Sequence, residues 1–155
     1  MLHRDLKSFA AVLPAQGRIL GLDVGDAGVG IALSDATRTI ASPLQKLKRA
    51  KFGLFVKELQ AVIQKHNAVA LVAGYPLNAD GTEGSQAQKT RDFAHELSIQ
   101  TALPCLIWDE RLSTSAAMRP LIEGGTGFDT RREARDAMAA AFILQGVLDS
   151  GLVRP

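Results

Sequence analysis

The strongest constraint on this chain is a pair of apolar runs, Ile19-Leu20-Gly21-Leu22-Asp23-Val24 and Val29-Gly30-Ile31-Ala32-Leu33-Ser34, separated only by Gly25-Asp26-Ala27-Gly28. Each run has the length and composition of a strand, and so short a glycine-containing connection leaves no room for a crossover. The two must therefore be antiparallel neighbours. A third strand is expected around Thr39 to Leu47, where Pro43 favours a sheet edge or a bulge.

Downstream the pattern changes to alternation of helix and strand. Phe52, Phe55, Val56, Leu59, Val62 and Ile63 recur at helical spacing and leave Lys51, Lys57, Glu58 and Lys65 for solvent. Ala68 to Ala73 reads as a strand covered on both faces, followed by the turn-rich Gly74 to Gly81. Ser85 and Gln88 form a capping-box pattern for a helix to about Leu97, and Cys105 to Trp108 is a further buried strand. Ser113 or Thr114 can cap a short helix toward Ile122 that Pro120 should kink, and Thr130 with Glu133 opens a last helix to about Leu148. The order is that of an α/β fold with a mixed five-stranded sheet, antiparallel in its first three strands and parallel in the βα units that follow.

With 155 residues there is room for one domain, expected over residues 18–155, and residues 1–17 are expected to be a loose arm. The apolar stretch Phe9 to Leu13 is too short for a membrane span and is stopped by Pro14. The lone Cys105 cannot form an internal disulfide, and His3, His66 and His95 lack metal-ligand spacing. These features point to an intracellular, cytoplasmic protein without a structural zinc or a membrane partner.

Three acids stand in unusual places. Asp23 lies within the first apolar strand, Asp109 and Glu110 at the end of the last one, and Asp136 among the alanines of the final helix. Ionised carboxylates beside a core are costly unless paired or bound to a cation. Because ligands of open α/β sheets bind outside the carboxyl ends of the strands, acids gathered there would suit an all-oxygen Mg²⁺ or Mn²⁺ site. Other roles remain open for each: Asp23 can cap the glycine turn, Asp136 can pair with Arg132 one helical turn away, and strand alternation admits only one of Asp109 and Glu110.

Four stretches together resemble a known family. Gly21-Leu22-Asp23-Val24-Gly25 with Val29 to Asp35, Gly74 to Gly84, Asp109-Glu110-Arg111-Leu112-Ser113-Thr114, and Asp136 to Gln145 are similar to the motifs of the YqgF family, in the family's order. These are RuvC-related, Holliday-junction-resolvase-like proteins, also described as pre-16S rRNA nucleases. The resemblance implies an RNase H-like fold with a three-carboxylate site, carried onto Asp23, Glu110 and Asp136, with Asp109 the alternative to Glu110. It further implies metal-dependent cleavage of a phosphodiester in structured nucleic acid. The expected activity is processing of the 5′ end of pre-16S rRNA, with resolution of four-way DNA as the alternative and non-catalytic binding in ribosome assembly as the third reading. Ala27-Gly28 stands where relatives commonly carry basic residues, so a phosphate contact there is lost or supplied elsewhere.

Candidate nucleic-acid contacts follow from charge and loop chemistry. The net charge is only +2, but ten of the 18 basic residues fall in two groups: Lys46, Lys48, Arg49, Lys51 and Lys57, and Arg111, Arg119, Arg131, Arg132 and Arg135. Of these, Lys48, Arg49, Arg111, Arg131 and Arg132 are the named candidates. In the loop before the second helix, Asn78 lets backbone approach a phosphate, and Thr82 and Glu83 match the family motif. The expected partners are pre-rRNA or branched DNA, and ribosomal particles, met by a monomer or homodimer. A nucleotide-clasping ATPase shares the Asp-x-Gly strand but needs two such domains, which this length disfavours.

Overall fold

The computed structural model describes residues 1–112 and 129–155, the side chains of 129–133 excepted. Its elements are β1 (Leu2–His3), α1 (Leu6–Ala11), β2 (Arg18–Val24), β3 (Gly28–Ser34), β4 (Ala41–Lys48), α2 (Phe52–His66), β5 (Ala68–Tyr75), α3 (Ser85–Thr101), β6 (Cys105–Asp109), a 3₁₀ turn (Glu110–Leu112) and α4 (Asp129–Leu148). The short helix expected after Ser113, with Arg119 and Pro120, lies outside the described residues.

Among the described residues six strands form one sheet in the order β1-β6-β5-β2-β3-β4. As expected, β2 and β3 are antiparallel, with Asp23 opposite Gly30, and β3 and β4 are antiparallel too. β5 runs parallel to both β2 and β6. Pro43 sits on the edge strand β4 beside a register irregularity between Ile31 and Ala32, so it satisfies both placements the sequence allowed.

The five-stranded expectation is corrected by β1, and the loose arm with it. Leu2 and His3 pair in parallel with Cys105 and Leu106. Phe9 on α1 is fully buried, a contribution of about 2–3 kcal/mol for a phenyl ring. Asp5 caps α1 by accepting the Ser8 amide at 3.0 Å. The buried Arg38 closes the arrangement, its guanidinium donating to the carbonyls of Gly17 (3.0 Å), Pro14 (2.7 Å) and Val153 (3.1 Å). Those bonds tie the arm and the carboxyl-terminal segment to the turn after β3.

Alternation along the strands builds two apolar layers. Leu20, Leu22, Val29, Ile31 and Leu71 face α2 and α3, where Phe55, Leu59, Phe93 and Leu97 are buried. Ile19, Ala32, Ala70, Val72 and Leu106 face α1 and α4, whose Ala140, Ile143, Leu144 and Val147 recur at helical spacing. The capping box expected at Ser85 is absent: Gly84 is the N-cap of α3 and no side chain bonds there, which places Ser85 inside the helix. α2 ends at His66, and Asn67 takes the left-handed conformation that stops it. Burial pushes the Cys105 thiol up to about 12. No described helix is long and apolar enough to cross a membrane.

Glycines decide how closely α4 approaches the sheet. A methyl at Gly21 would lie 2.7 Å from Leu144 Cβ and 2.8 Å from the Ala140 carbonyl, and one at Gly30 would overlap the Asp136 carbonyl. Both clashes are with helix backbone or Cβ, which cannot rotate away. Gly30→Ala is therefore expected to cost about 3 kcal/mol in denaturant unfolding. Gly53→Ala, on α2 with open space around it, should instead gain about 0.5 kcal/mol.

Candidate functional site

Two of the proposed acids, Asp23 and Asp136, meet at the carboxyl end of β2, on the α4 side of the sheet. Asp23 shares its face of β2 with Ile19 and Gly21, which lie against α4. Asp136 reaches the same place from above, its main chain resting on Gly30, the register partner of Asp23. Both side chains are half-buried and line a cavity of about 210 Å³ together with the Gly25–Gly28 turn and Lys46. The structure thus brings together two acids 113 positions apart in the chain.

Alternation also separates Asp109 from Glu110. Leu106 and Trp108 belong to the α4-side layer and Cys105 and Ile107 to the other, so the next residues continue on opposite sides. Glu110 lies over Gly74: a methyl there would come within 2.5 Å of Glu110 Oε1 and 2.6 Å of Ile143 Cδ1. It stands on the face of Asp23 and Asp136, one strand removed from their cavity. Asp109 is committed elsewhere, since Arg111 Nη2 donates to Oδ2 at 2.7 Å and Arg111 Nε to Oδ1 at 3.0 Å. That hydrogen bond holds the Asp109 carboxyl below the usual carboxylate range.

Among the described residues no three acids, histidines or cysteines lie close enough to hold one metal ion. The donor chemistry nevertheless fits a hard divalent cation, for the groups facing the cavity are carboxylates. A positive charge already occupies part of that position: Lys46 Nζ is 2.9 Å from Asp136 Oδ2. The sequence named Lys46 only as one of a basic stretch. The signal that would have found it is its register position opposite Gly30, which requires the β3–β4 pairing.

The remaining candidates divide into braces and exposed groups. Arg49 donates from Nη1 to the Gly25 carbonyl at 3.0 Å and lies 4.2 Å from the centre of the Phe93 ring, so it fixes the turn that carries the cavity wall. Arg111 Nη1 also reaches the Ala79 carbonyl at 3.3 Å. In that loop Asn78 Nδ2 donates to Thr82 Oγ1 at 3.0 Å, and Thr82 in turn donates to Asp80 through both its amide and its hydroxyl. Glu83 accepts from Tyr75 and, at 2.8 Å, from Arg91. Burial first, then the Glu83 bond, pushes the Tyr75 hydroxyl above the usual phenol range. Lys48 is exposed on β4, while the side chains of Arg131 and Arg132 lie outside the described residues. A larger concavity of about 640 Å³ opens where Arg18, His66 and Asn67 meet, and among the described residues no Asp or Glu lines it.

The chain is similar to known proteins over nearly its whole length. A family model described as "RuvX: Holliday junction resolvase" matches residues 17–150. The chain belongs to the RuvX family. It is 46% identical over 149 residues to a Paracoccus denitrificans protein named "Putative pre-16S rRNA nuclease", covering 96% of this chain and 94% of that one. A Ruegeria pomeroyi protein of the same name is 44% identical, with 96% and 97% covered. Among solved structures, Thermus thermophilus RuvC in complex with a Holliday junction substrate superposes with a TM-score of 0.57 at 13% identity, covering 89% of this chain and 99% of that one. At that identity the match speaks to fold alone, and it gives this RuvX chain the RNase H-like architecture expected from its motifs.

The Asp109–Arg111 bridge is directly testable. By NMR titration Asp109 should show a midpoint below the ordinary value of about 3.9, returning toward it in Arg111→Ala. Because the folded value is depressed, the bridge stabilises the fold above the unfolded value and its contribution disappears as pH falls through the folded one.

Proposed function

We propose that this RuvX-family chain is a divalent-metal-dependent nuclease that processes the 5′ end of the 16S rRNA precursor in the cytoplasm. The observation that carries the reading is the meeting of Asp23 and Asp136 in one cavity at the carboxyl ends of the strands, with Glu110 on the same face. Near full-length similarity to proteins named for pre-16S rRNA supports the substrate.

Asp23, Asp136 and Glu110 are the residues that would hold Mg²⁺ or Mn²⁺. The ion, or a pair of ions, would activate water and neutralise charge developing on the leaving oxygen. The chain's own groups supply the rest. Three carboxylates in a half-buried site repel one another and a phosphate alike, so binding of the backbone must come from cations around them. Lys48, Arg131 and Arg132 are assigned that task, with ribosomal particles as the setting. Arg49 and Arg111 act through the Gly25 turn and the Asn78–Glu83 loop that they brace, and that loop is offered to the nucleic acid as a preformed unit. No histidine is needed as a base.

Junction resolution is the second reading, favoured by the description of the family model. It requires two symmetric cuts and so a two-fold dimer. In a Mg²⁺ or Mn²⁺ cleavage assay, precursor 16S RNA should be cut and four-way DNA spared, and the reverse pattern would transfer the chain to the second reading. Cleavage of neither, at enzyme excess, would leave only a binding role. Asp23→Asn, Glu110→Gln and Asp136→Asn should each lower the cleavage rate by at least about 100-fold, roughly the loss of a few kcal/mol of transition-state stabilisation. Their thermal unfolding should remain close to that of the parent chain.

A further inference from the structure

The cavity between Asp23 and Asp136 contains a cation of its own. Lys46 stands opposite Gly30 on the edge strand β4, and its stem crosses diagonally above Gly28, where a methyl would lie 2.6 Å from Lys46 Cε. A methyl at position 28 would crowd that path. The ammonium ends 2.9 Å from Asp136 Oδ2, and the side chain is 18% exposed against 32% for its partner. The cavity wall on the β4 side is thus a lysine aimed at an acid assigned to metal.

We propose that Lys46 is a built-in counter-cation that competes with the divalent ion for the Asp136 carboxylate. The inference rests on the metal reading given above. Its physical basis is charge balance, since carboxylates gathered beside a core are destabilising without a positive partner, and Lys46 provides one before any ion arrives. A divalent ion that takes Asp136 Oδ2 must break the Lys46 bond, so part of its binding energy is spent in displacing the ammonium. The flexible four-carbon stem then leaves the released charge at the rim, available to a phosphate of bound nucleic acid.

The test is Mn²⁺ binding, without nucleic acid, measured by calorimetry on the parent chain and on Lys46→Met, Lys46→Arg and Asp136→Asn. Lys46→Met should bind Mn²⁺ about three- to tenfold more tightly, Lys46→Arg should bind like the parent, and Asp136→Asn should bind at least tenfold more weakly. Metal-free Lys46→Met should also melt at a lower temperature than the parent, with the difference closing as Mn²⁺ is added. If Asp136→Asn loses binding but Lys46→Met binds no more tightly than the parent, competition is overturned while the metal reading stands. If Mn²⁺ binds neither the parent nor Lys46→Met, both fall together. Should Lys46→Met fold poorly, Lys46→Gln serves for the same comparison.

Discussion

Everything at the candidate site depends on how closely α4 lies on β2, β3 and β5. A helix normally stands off a sheet by the thickness of two layers of side chains. Here Gly21, Gly30 and Gly74 remove one of those layers beneath it, so the Ala140 and Asp136 carbonyls and the Ile143 side chain rest almost on strand backbone. The residues of α4 that meet this track, Asp136, Ala140, Ile143, Leu144 and Val147, follow helical spacing along one stripe. Asp136 is the one charged member, and it sits where the stripe passes the carboxyl end of β2. A side chain at Gly30 would lift this end of the helix, and Asp136 and Asp23 would no longer share a cavity.

That geometry explains why some of the fold was legible in the sequence and some was not. The antiparallel pairing of β2 with β3 follows from the four residues between them, and the edge position of β4 from Pro43. Both are local consequences of backbone chemistry, readable without knowledge of the rest. β1 is another matter: two residues, Leu2 and His3, carry no periodicity, and they form a strand only because β6 presents an open edge to them. Phe9 likewise looks like part of a short apolar run until the α4-side layer gives it a place to be buried. The buried Arg38 is the least expected of these features, since its charge is met by carbonyls from two segments far apart in the chain, the α1–β2 connection and the carboxyl-terminal residues.

The acids show the same division. Strand alternation said that Asp109 and Glu110 could not both join Asp23, but the choice needs the phase of β6, which is set by its pairing with β5 through Gly74 and Trp108. Once that is known, Glu110 falls on the α4 side, and Asp109 on the side where Arg111 holds it. Charge places Arg111 and Arg49 among the candidate phosphate contacts, and each is also engaged with a carbonyl of a loop beside the acids, Ala79 for one and Gly25 for the other. Charge counting cannot distinguish a guanidinium that meets a ligand from one that holds the loop meeting it, because both need the same residue near the same place.

The near-neutral net charge acquires a different meaning from these contacts. A sum of +2 suggests a surface indifferent to nucleic acid, yet several of the basic residues that contribute to it are engaged with acids or carbonyls near the cavity. Such partnerships hold acidic groups in place at modest cost, because a half-exposed ion pair stabilises by about 1 kcal/mol or less and is easily exchanged for a stronger partner. A permanently buried pair would resist that exchange, while fully exposed carboxylates would lack the reduced dielectric that makes charge effective at a reaction centre. The half-buried Lys46–Asp136 contact lies between those limits. The edge strand is what permits it: among the described residues no strand pairs with the outer side of β4, so a long cationic side chain can cross inward over Gly28 without displacing a layer of the core.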